Sequence, residues 1–496
     1  MLLRTRRALL ASSVAVALGL AVPSPAHANG RYPGAQFLAV GPYGHSDTLA
    51  LQTTFGLVMS TDSGTTWHWV CEQAEGYSAM ADPTLGLQRD GSLIITLPDG
   101  LSVGAPPYCD FPRPTGSPAQ QVIDVSNDPN GTRSAVAVTP ISGSNSVWIS
   151  DDLGRTWATG WSQPGIFIET IDIAPGHPSR MYLSAYATGA VPTIYRSDDG
   201  GQTFLATTTD THGGYDAFIA GVDPTDPDVV YVRTDLDTGG TLLLRSSDGA
   251  HTFTMVARTM NRMTGAAISA DGAHLWIGGR GRGDGVLRSD DHGLTFNPIS
   301  NLFTTLCLRY ANGFLFACTD YGTDGFAVAC SSDMGATFIP VLSFPDIRAS
   351  DHCATGTAVH DRCSPLWPAQ HDLLTADAGI VRPPTCTHDG GTCTLDGGSD
   401  ASEPEGGSDG ALGDDVTFAD ASARESGASE GGIDAFADAG NDSGTVSPGC
   451  HCSVRSRGSR VPRVAWFGVA AMAVAIRKRR RDRMIRPTSK AYVPGR

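Results

Sequence analysis

The stretch Ser197–Phe204 reads SDDGGQTF, and closely similar stretches of eight residues occur five more times along the chain. We call this pattern the repeat motif: Ser-x-Asp-x-Gly-x-Thr, followed by Trp or Phe. The other copies are STDSGTTW at 60–67, SDDLGRTW at 150–157, SSDGAHTF at 246–253, SDDHGLTF at 289–296 and SSDMGATF at 331–338. Such repetition indicates structural units that bury their apolar faces against one another.

The spacing of the copies gives the number of units. Successive copies begin 90, 47, 49, 43 and 42 residues apart, so the first interval has room for two units. A turn precedes each copy by about twenty residues, at Gly41, Pro129, Pro178, Pro227, Asp271 and Asn312. A seventh such turn, at Asp90, falls inside the wide interval, and its motif is due near Cys109, where the chain reads APPYCDFPRP. The sequence therefore predicts seven units, one of them degenerate.

Each unit has room for four short strands. Apolar and β-branched residues alternate with polar ones before the turn, twice between the turn and the motif, and again after the motif, for example in PDVVYVRTD at 227–235 and TLLLRSSD at 241–248. Four strands in about 40–50 residues is the size of one propeller blade. We predict an all-β fold, a seven-bladed β-propeller with four-stranded blades over residues 35–345.

The motif itself has a structural interpretation. Ser and Asp accept hydrogen bonds from the turn backbone, Gly allows a positive φ, and the aromatic ring is buried between sheets. In the copy at 246–253 Ala250 takes the Gly position, so that hairpin is expected to be shifted or strained. The predicted structural residues are Asp62, Asp152, Asp199, Asp248, Asp291, Asp333, Trp67, Trp157, Phe204, Phe253, Phe296 and Phe338.

The motif resembles the Asp box, or BNR repeat, found in sialidases, sortilin-type receptors, some xyloglucan-cleaving hydrolases and photosystem assembly factors. In those families the box lies away from the ligand face, and it occurs in enzymes and binding proteins alike. The resemblance therefore implies a propeller and a structural role for the box, without selecting a ligand.

The N-terminus has the features of an export signal over residues 1–28. Arg4, Arg6 and Arg7 precede an apolar run, and Ala26-His27-Ala28 offers a cleavage site after Ala28. The general secretory route is favoured, and the arginine pair leaves a twin-arginine route open.

Three segments follow the predicted propeller. Residues 346–394 form a cysteine-containing extension, and residues 395–449 an acidic Gly/Ser/Asp linker expected to be disordered. Residues 450–483 place Cys450 and Cys452 before a short apolar run and an arginine cluster. This order is similar to the MYXO-CTERM tail of myxobacterial surface proteins, which implies processing near Cys450 and retention at the cell envelope or outer surface. An ordinary membrane anchor and a meaningless basic tail are the alternatives.

Charge limits the partners. The chain carries a net charge of −16, although its C-terminal tail is basic. An acidic exported domain argues against nucleic acid and anionic lipid surfaces as partners of the propeller. A glycan or a protein remains as the surface ligand, with membrane contact through the C-terminal segment.

Eleven cysteines in an exported chain indicate disulfides. Spacing suggests the pairs Cys353 with Cys363, Cys386 with Cys393, and Cys71 with Cys109. Cys307, Cys318 and Cys330 lie on successive strands of one unit, so at most two of them pair locally. A zinc site of Cys353, Cys363, His352 and His360 is the weaker alternative, because its spacing fits no strong pattern.

No catalytic, cofactor or metal motif stands out. A sialidase needs an arginine cluster, but Arg196, Arg245 and Arg288 directly precede motifs and are better explained as strand residues, and Arg31-Tyr32-Pro33 matches the family's early element only in part. A two-carboxylate glycoside hydrolase stays open, since many acids are available and no spacing selects a pair. The Arg-Gly-Asp triplet at 282–284 is explained by a Gly-rich turn. We therefore expect a surface-displayed binding or scaffold module, with a glycoside hydrolase as the alternative and no cofactor.

Overall fold

The computed structural model describes residues 32–376, apart from 43, 78–80, 141–143, 209 and 301. The predicted signal peptide with Ala28, the pair Cys386 and Cys393, the 395–449 linker and the tail with Cys450 and Cys452 lie outside the described residues. Within them, the strands form seven antiparallel sheets, six with four strands and one with three. This confirms the predicted all-β, seven-bladed propeller.

The first four blades follow the chain in order. Blade 1 contains β1 (Ala35–Val40), β2 (Leu49–Thr53), β3 (Gly56–Ser60) and β4 (His68–Val70). Blade 2 contains β5 (Leu85–Leu87), β6 (Leu93–Leu97) and β7 (Gly100–Gly104). Blade 3 contains β8 (Val122–Asn127), β9 (Ser134–Val138), β10 (Ser144–Ser150) and β11 (Ala158–Pro164). Blade 4 contains β12 (Ile166–Ile173), β13 (Met181–Ala187), β14 (Thr193–Ser197) and β15 (Leu205–Thr208).

The remaining blades repeat this plan. Blade 5 contains β16 (Phe218–Val222), β17 (Val230–Asp235), β18 (Thr241–Ser246) and β19 (Thr254–Thr259). Blade 6 contains β20 (Met263–Ile268), β21 (Leu275–Gly279), β22 (Val286–Ser289) and β23 (Asn297–Ser300). Blade 7 contains β24 (Thr305–Ala311), β25 (Phe314–Thr319), β26 (Val328–Ser331) and β27 (Ile339–Leu342). The helices are α1 (Glu72–Glu75), α2 (Tyr321–Asp324), α3 (Ala358–Cys363) and α4 (Trp367–Ala376), with a 3₁₀ turn at Phe344–Asp346.

The ring closes through the innermost strands. The first strand of each blade contacts the first strand of the next, and β24 of blade 7 contacts β1. Second strands such as β2 and β9 are buried along their whole length, whereas outer strands such as β15 and β23 are largely exposed. This gradient explains the apolar runs of the second strands, because neighbouring blades cover both of their faces.

Alternating strand direction sorts the connections onto two faces. The turns between first and second strands share one face with the motif turns, which join third and fourth strands; we call it the motif face. The connections between second and third strands, and those between blades, share the opposite end of the channel, which we call the loop face.

Every repeat motif makes the same hydrogen bonds. In the copy at 197–204, the Ser197 hydroxyl donates to Asp199 Oδ1 at 2.8 Å and accepts from the Gly201 N–H at 2.9 Å. The Thr203 N–H and hydroxyl donate to Asp199 Oδ1 and Oδ2 at 2.9 and 2.6 Å. The Thr203 hydroxyl is the largest cause of a lowered pKa for Asp199, which falls to about 2.

The copy with alanine is not shifted. The Ala250 N–H donates to the Ser246 hydroxyl at 2.9 Å, as the corresponding Gly does elsewhere. Ala250 adopts φ of +70°, in the left-handed region that L-residues rarely occupy. Of the two expectations for this hairpin, the shift was wrong, and the backbone geometry is the strained one.

Motif turns also join neighbouring blades. The His292 carbonyl, inside the blade 6 motif, accepts hydrogen bonds from the Tyr231 hydroxyl at 2.8 Å and from Arg245 at 3.0 Å, both on blade 5. The Met334 carbonyl of blade 7 likewise accepts from Trp276 at 3.0 Å and from Arg288 at 3.2 Å. Arginines that precede motifs are therefore used in the contacts between blades.

Blade 2 departs from the prediction of four strands. Its turn at Asp90 joins β5 to β6 as expected, but the segment after β7 contains Pro106, Pro107, Pro112 and Pro114 and forms no fourth strand. Proline lacks the N–H that a strand must donate, so this segment cannot continue the ladder.

The chain after blade 7 folds back over blades 1 and 2. We call residues 344–376 the clasp. The Trp69 N–H donates to the Arg348 carbonyl and the Arg348 N–H to the Trp67 carbonyl, both at 2.9 Å, which adds a short parallel pairing to the outer edge of β4. The Val359 N–H donates to the Cys109 carbonyl at 3.0 Å. The clasp thus ties the end of the ring to its beginning.

Three disulfides are present, and two of the predicted pairings are wrong. Cys71 pairs with Cys363 and Cys109 with Cys353, both between the clasp and blades 1 and 2, whereas Cys353 with Cys363 and Cys71 with Cys109 were expected. The clasp lies against the blades, so each of its cysteines faces a blade cysteine and not its sequence neighbour. Cys307 pairs with Cys318 across adjacent strands, and Cys330 is buried on the next strand, which agrees with the prediction of at most one local pair.

Candidate binding site at the channel mouth

Charged side chains converge on the loop face where blades 4, 5 and 6 meet the channel. We call Glu169, Asp216, Arg233, Asp235 and Arg262, which surround the Phe218 ring, the mouth cluster. Glu169 lies on β12, Arg233 and Asp235 at the end of β17, and Asp216 and Arg262 directly before β16 and β20. Strand starts on the inner edge and the end of a second strand meet at this face, which explains how three blades contribute.

A strand irregularity places Glu169. The register of β12 against β13 shifts between Ile168 and Thr170, which leaves Glu169 as the extra residue of a β-bulge. The Ala217 N–H of blade 5 donates to Glu169 Oε2 at 3.3 Å. Burial raises the pKa of Glu169 to about 7, and the Asp216 carboxylate adds to this against the Ala217 N–H and the two arginines.

Asp216 and Asp235 form an adjacent carboxylate pair. The Asp235 N–H donates to Asp216 Oδ1 at 2.6 Å, and the Arg262 guanidinium lies 3.1 Å from Asp235 Oδ2. The Thr241 hydroxyl donates to Asp235 Oδ1. Burial raises the pKa of Asp216, and the neighbouring Asp235 carboxylate raises it further against the bond from the Asp235 N–H.

Arg233 has unused hydrogen-bonding capacity. Its guanidinium carbon lies 4.1 Å from the centre of the Phe218 ring, in cation–π contact, with Arg262 at 5.9 Å from the same ring. The Arg233 Nη1 atom is buried and has no hydrogen-bond partner among the described residues. Burial is the main cause of a lowered pKa for Arg233. A buried guanidinium donor of this kind suits an acceptor group supplied by a ligand.

Exposed aromatic rings flank the mouth cluster. Phe167, on β12, and Tyr186, on β13, stack with ring centres 5.5 Å apart, and each is 38% exposed. Tyr215 is 57% exposed, and its N–H donates to the Asp235 carbonyl at 3.0 Å. Aromatic faces beside convergent polar groups are the usual composition of a small-molecule site.

Three further charges meet inside the channel. Asp124 on β8 accepts from the Ile171 N–H at 2.9 Å, and burial raises the pKa of Asp124 to about 7. Burial also raises the pKa of Asp172, on β12, well above its usual range, with a further increase from the Asp124 carboxylate. Arg309, on β24, donates to the Leu38 carbonyl at 3.1 Å and attracts both carboxylates. These groups bind mainly to the backbone of neighbouring blades.

The largest concavity lies elsewhere on the loop face. A groove of about 740 Å³ above blade 2 is lined by side chains that include Asp82, Asp99, Gln120 and Gln121, and its described lining has no aromatic ring. Gln36 donates to Asp82, and Arg113 pairs with Asp99 at 2.6 Å. Because its carboxylates are already engaged, we place the candidate site at the mouth cluster.

The motif residues lie on the opposite face. Their carboxylates accept bonds from their own turns, as do those of Asp62, Asp152, Asp248, Asp291 and Asp333. The Arg196, Arg245 and Arg288 side chains also lie on the motif face, where Arg196 and Arg288 pair with Asp198 and Asp290, both at 2.9 Å. They are therefore not an arginine cluster around the channel mouth.

Two other sequence candidates are engaged within the protein. In the Arg-Gly-Asp turn, Arg282 pairs with Asp324 at 2.8 Å, and Asp284 accepts from the Asn261 N–H at 3.0 Å. Cys353 and Cys363 both belong to disulfides, so the alternative zinc site has no thiolates to offer.

Sequence reasoning did not single out the mouth cluster. A signal exists in the inner strands, where six blades carry the same bulge position, occupied by Gln36, Ile123, Glu169, Ala220, Thr264 and Leu306. Glu169 is the acidic residue in that set. Comparing the blades position by position would have identified it.

Comparisons with known proteins concern the fold. No family model and no curated protein matches this chain. It is similar to the extracellular domain of a hybrid two-component system from B. thetaiotaomicron, with 13% identity over 61% of this chain and 38% of the other, at a TM-score of 0.43. An ancestral GH74 enzyme shares 12% identity over 62% and 44% of the two chains, at 0.44. YCF48 from Cyanidioschyzon merolae shares 15% over 64% and 86%, at 0.36. The chain spans less than half the length of the first two, and likenesses at this level say nothing about ligand or activity.

Proposed function

We propose that this chain is an exported, surface-displayed propeller that binds a glycan at the mouth cluster. The observation that carries the proposal is the combination of the exposed Phe167–Tyr186 stack with the buried, unfilled Arg233 Nη1 donor. A sugar ring stacks on aromatic faces through its C–H groups, while its oxygens accept bonds from a guanidinium. A protein ligand would instead be expected to cover a broader surface.

A glycan array followed by calorimetric titration tests this proposal. The unaltered chain is expected to select a limited set of glycans, and Phe167→Ala is expected to weaken binding at an unchanged melting temperature. Leu205→Ala, an exposed apolar side chain on the outer strand β15, is the matched control and should bind normally. Equal binding by the Phe167 variant, or no glycan on the array, would overturn the proposal.

Glycoside hydrolysis is the second candidate, and one observation favours it. A general acid needs a carboxyl that is protonated near neutral pH, and the pKa of Glu169 is raised to about 7 beside a second acid, Asp216. Hydrolysis of the bound glycan that is lost in Glu169→Gln while binding persists would support this candidate. Binding without any hydrolysis would leave the binding module as the function.

The ends of the chain supply the proposed location. The repeat motif is assigned to the Asp-box type on its residues, and residues 1–28 and 450–483 to export and to MYXO-CTERM-like retention at the cell envelope. Among residues 32–376, outside the short gaps in their description, no helix is both long and apolar enough to cross a membrane. Intact-mass analysis of envelope-extracted protein tests the location. We expect a start at Asn29, a chain that ends near Cys450, and altered processing in Cys450→Ala; a chain that still ends at Arg496 would favour a plain anchor.

A further inference from the structure

A second polar cluster is buried between blades 1 and 2, away from the mouth cluster. Helix α1 is a single turn that starts after Cys71 and ends at Gly76, with φ of +108°. Its two acids, Glu72 and Glu75, are 5% and 0% exposed. A spacing of three residues puts both on one side of a helical turn. Gln52 and Tyr77, also buried, lie beside them and are joined by a bond of 3.0 Å from Gln52 Nε2 to the Tyr77 hydroxyl.

Three oxygen atoms of this cluster are unfilled. Both carboxyl oxygens of Glu75 and the side-chain oxygen of Gln52 are buried without a hydrogen-bond partner among the described residues. The Gln52 amide nitrogen is already used, on Tyr77 and on the Thr53 carbonyl at 3.2 Å. Native proteins leave few buried polar groups unpaired, because each costs free energy. The site therefore lacks something that oxygen atoms bind.

Charge in the cluster has one sign. No arginine or histidine of the described residues forms an ion pair with Glu75. Burial raises the pKa of Glu75 well above its usual range and the Glu72 carboxylate raises it further, while the nearby Leu57 N–H, outside hydrogen-bond geometry, lowers it in part. A buried carboxylate in such surroundings needs either a proton or a cation.

We propose that Glu75, with Glu72, Gln52 and Tyr77, binds a calcium ion between blades 1 and 2. The donor set is oxygen only, which hard cations prefer, and it includes two carboxylates and a neutral amide oxygen. Calcium accepts irregular coordination by protein oxygens, whereas magnesium keeps several waters and needs regular octahedral geometry. The ion would lie next to the Cys71–Cys363 disulfide and so stabilise the place where the clasp meets the ring.

Metal content and melting temperature test the site in the full chain. After removal of metal with EDTA, native mass spectrometry of the unaltered protein with added CaCl₂ is expected to show one bound calcium ion. Calcium at 100 times its dissociation constant should raise the melting temperature by about 3 °C or more, whereas equal magnesium should raise it less. Glu75→Gln should lose both the ion and the shift. Asp237→Asn removes an exposed acid and should keep both.

The competing state is a protonated Glu75, and its outcome is distinct. In that case the unaltered protein holds no stoichiometric metal, calcium does not change its melting temperature, and Glu75→Gln melts at least as high as the parent without added metal. That result would overturn the proposal. If Glu75→Gln fails to fold, the mass of the unaltered protein with and without calcium still decides the question. None of these outcomes depends on the ligand of the mouth cluster.

Discussion

The two faces of this propeller use the same residue types in opposite ways. On the motif face, each Asp, Ser and Thr of a motif binds another group of the same turn, and Arg245 and Arg288 bind carbonyl groups of the next blade. On the loop face, the Arg233 Nη1 donor is unfilled and Tyr215 is exposed. The difference teaches that repetition marks residues that stabilise the ring, whereas a binding face is marked by groups that the protein itself leaves unsatisfied.

The largest expected effect belongs to the motif face. Trp157 is 6% exposed, and its indole N–H donates to the Gly154 carbonyl at 2.9 Å. Trp157→Ala should lower the free energy of unfolding by about 3–5 kcal/mol, because it leaves a cavity. Chemical denaturation measures this loss, and the folded fraction should still bind ligand. A variant that melts normally but no longer binds would contradict the separation of the two faces.

The clasp should come next in size. Its disulfides join residues 292 and 244 apart in the chain, whereas Cys307 and Cys318 are only 11 apart. Replacing all four clasp cysteines with Ser should cost about 2–5 kcal/mol or more, because long loops lose the most entropy when they are closed. Cys307→Ser with Cys318→Ser is the control and should cost less. A larger loss in the control would mean that the clasp does not secure ring closure.

A pair of substitutions in the motif turn tests backbone strain. Gly201 has φ of +84°, and an added Cβ would lie 2.9 Å from Ile149 Cδ1, so Gly201→Ala should cost about 1–2 kcal/mol. The reverse change, Ala250→Gly, relieves strain at φ of +70° but removes a buried methyl group, so its gain should stay below about 1 kcal/mol. Thermal melting of both variants checks the signs. A loss in Ala250→Gly as large as that in Gly201→Ala would show that the position does not favour glycine.

The smallest effects concern pH and have opposite signs on the two faces. The pKa of Asp199 is lowered to about 2, so its stabilisation is present above about pH 4 and is lost as the pH falls toward 2; exposure to solvent limits it to about 1 kcal/mol. The pKa of Glu169 is raised to about 7, so its stabilisation is present below about pH 4 and is lost as the pH rises through 7. Asp199→Asn should flatten the acid side of the stability profile and Glu169→Gln the neutral side. Changes on the same side would contradict these assignments.

The blades and the mouth cluster differ in how far the sequence could predict them. A motif is eight consecutive residues that bind one another, so its turn, its spacing and the seven blades can be read along the chain. The mouth cluster joins Glu169 to Arg262, 93 residues later, and only the closed ring brings them together. The disulfides failed for the same reason, because Cys363 meets Cys71 through the clasp, which local spacing cannot show. The prolines after β7 were visible in the sequence, and they account for the missing fourth strand of blade 2.

The most direct test compares one arginine from each face with the glycan selected on the array. Arg233→Gln removes the unfilled donor at the channel mouth, and Arg288→Gln removes a guanidinium that binds the Met334 carbonyl on the motif face. Calorimetric titration beside thermal melting should show affinity about 10- to 100-fold lower for Arg233→Gln without a lower melting temperature. Arg288→Gln should melt lower and bind normally. Normal binding by Arg233→Gln, together with lost binding by a stably folded Arg288→Gln, would contradict the central claim that ligands bind the loop face.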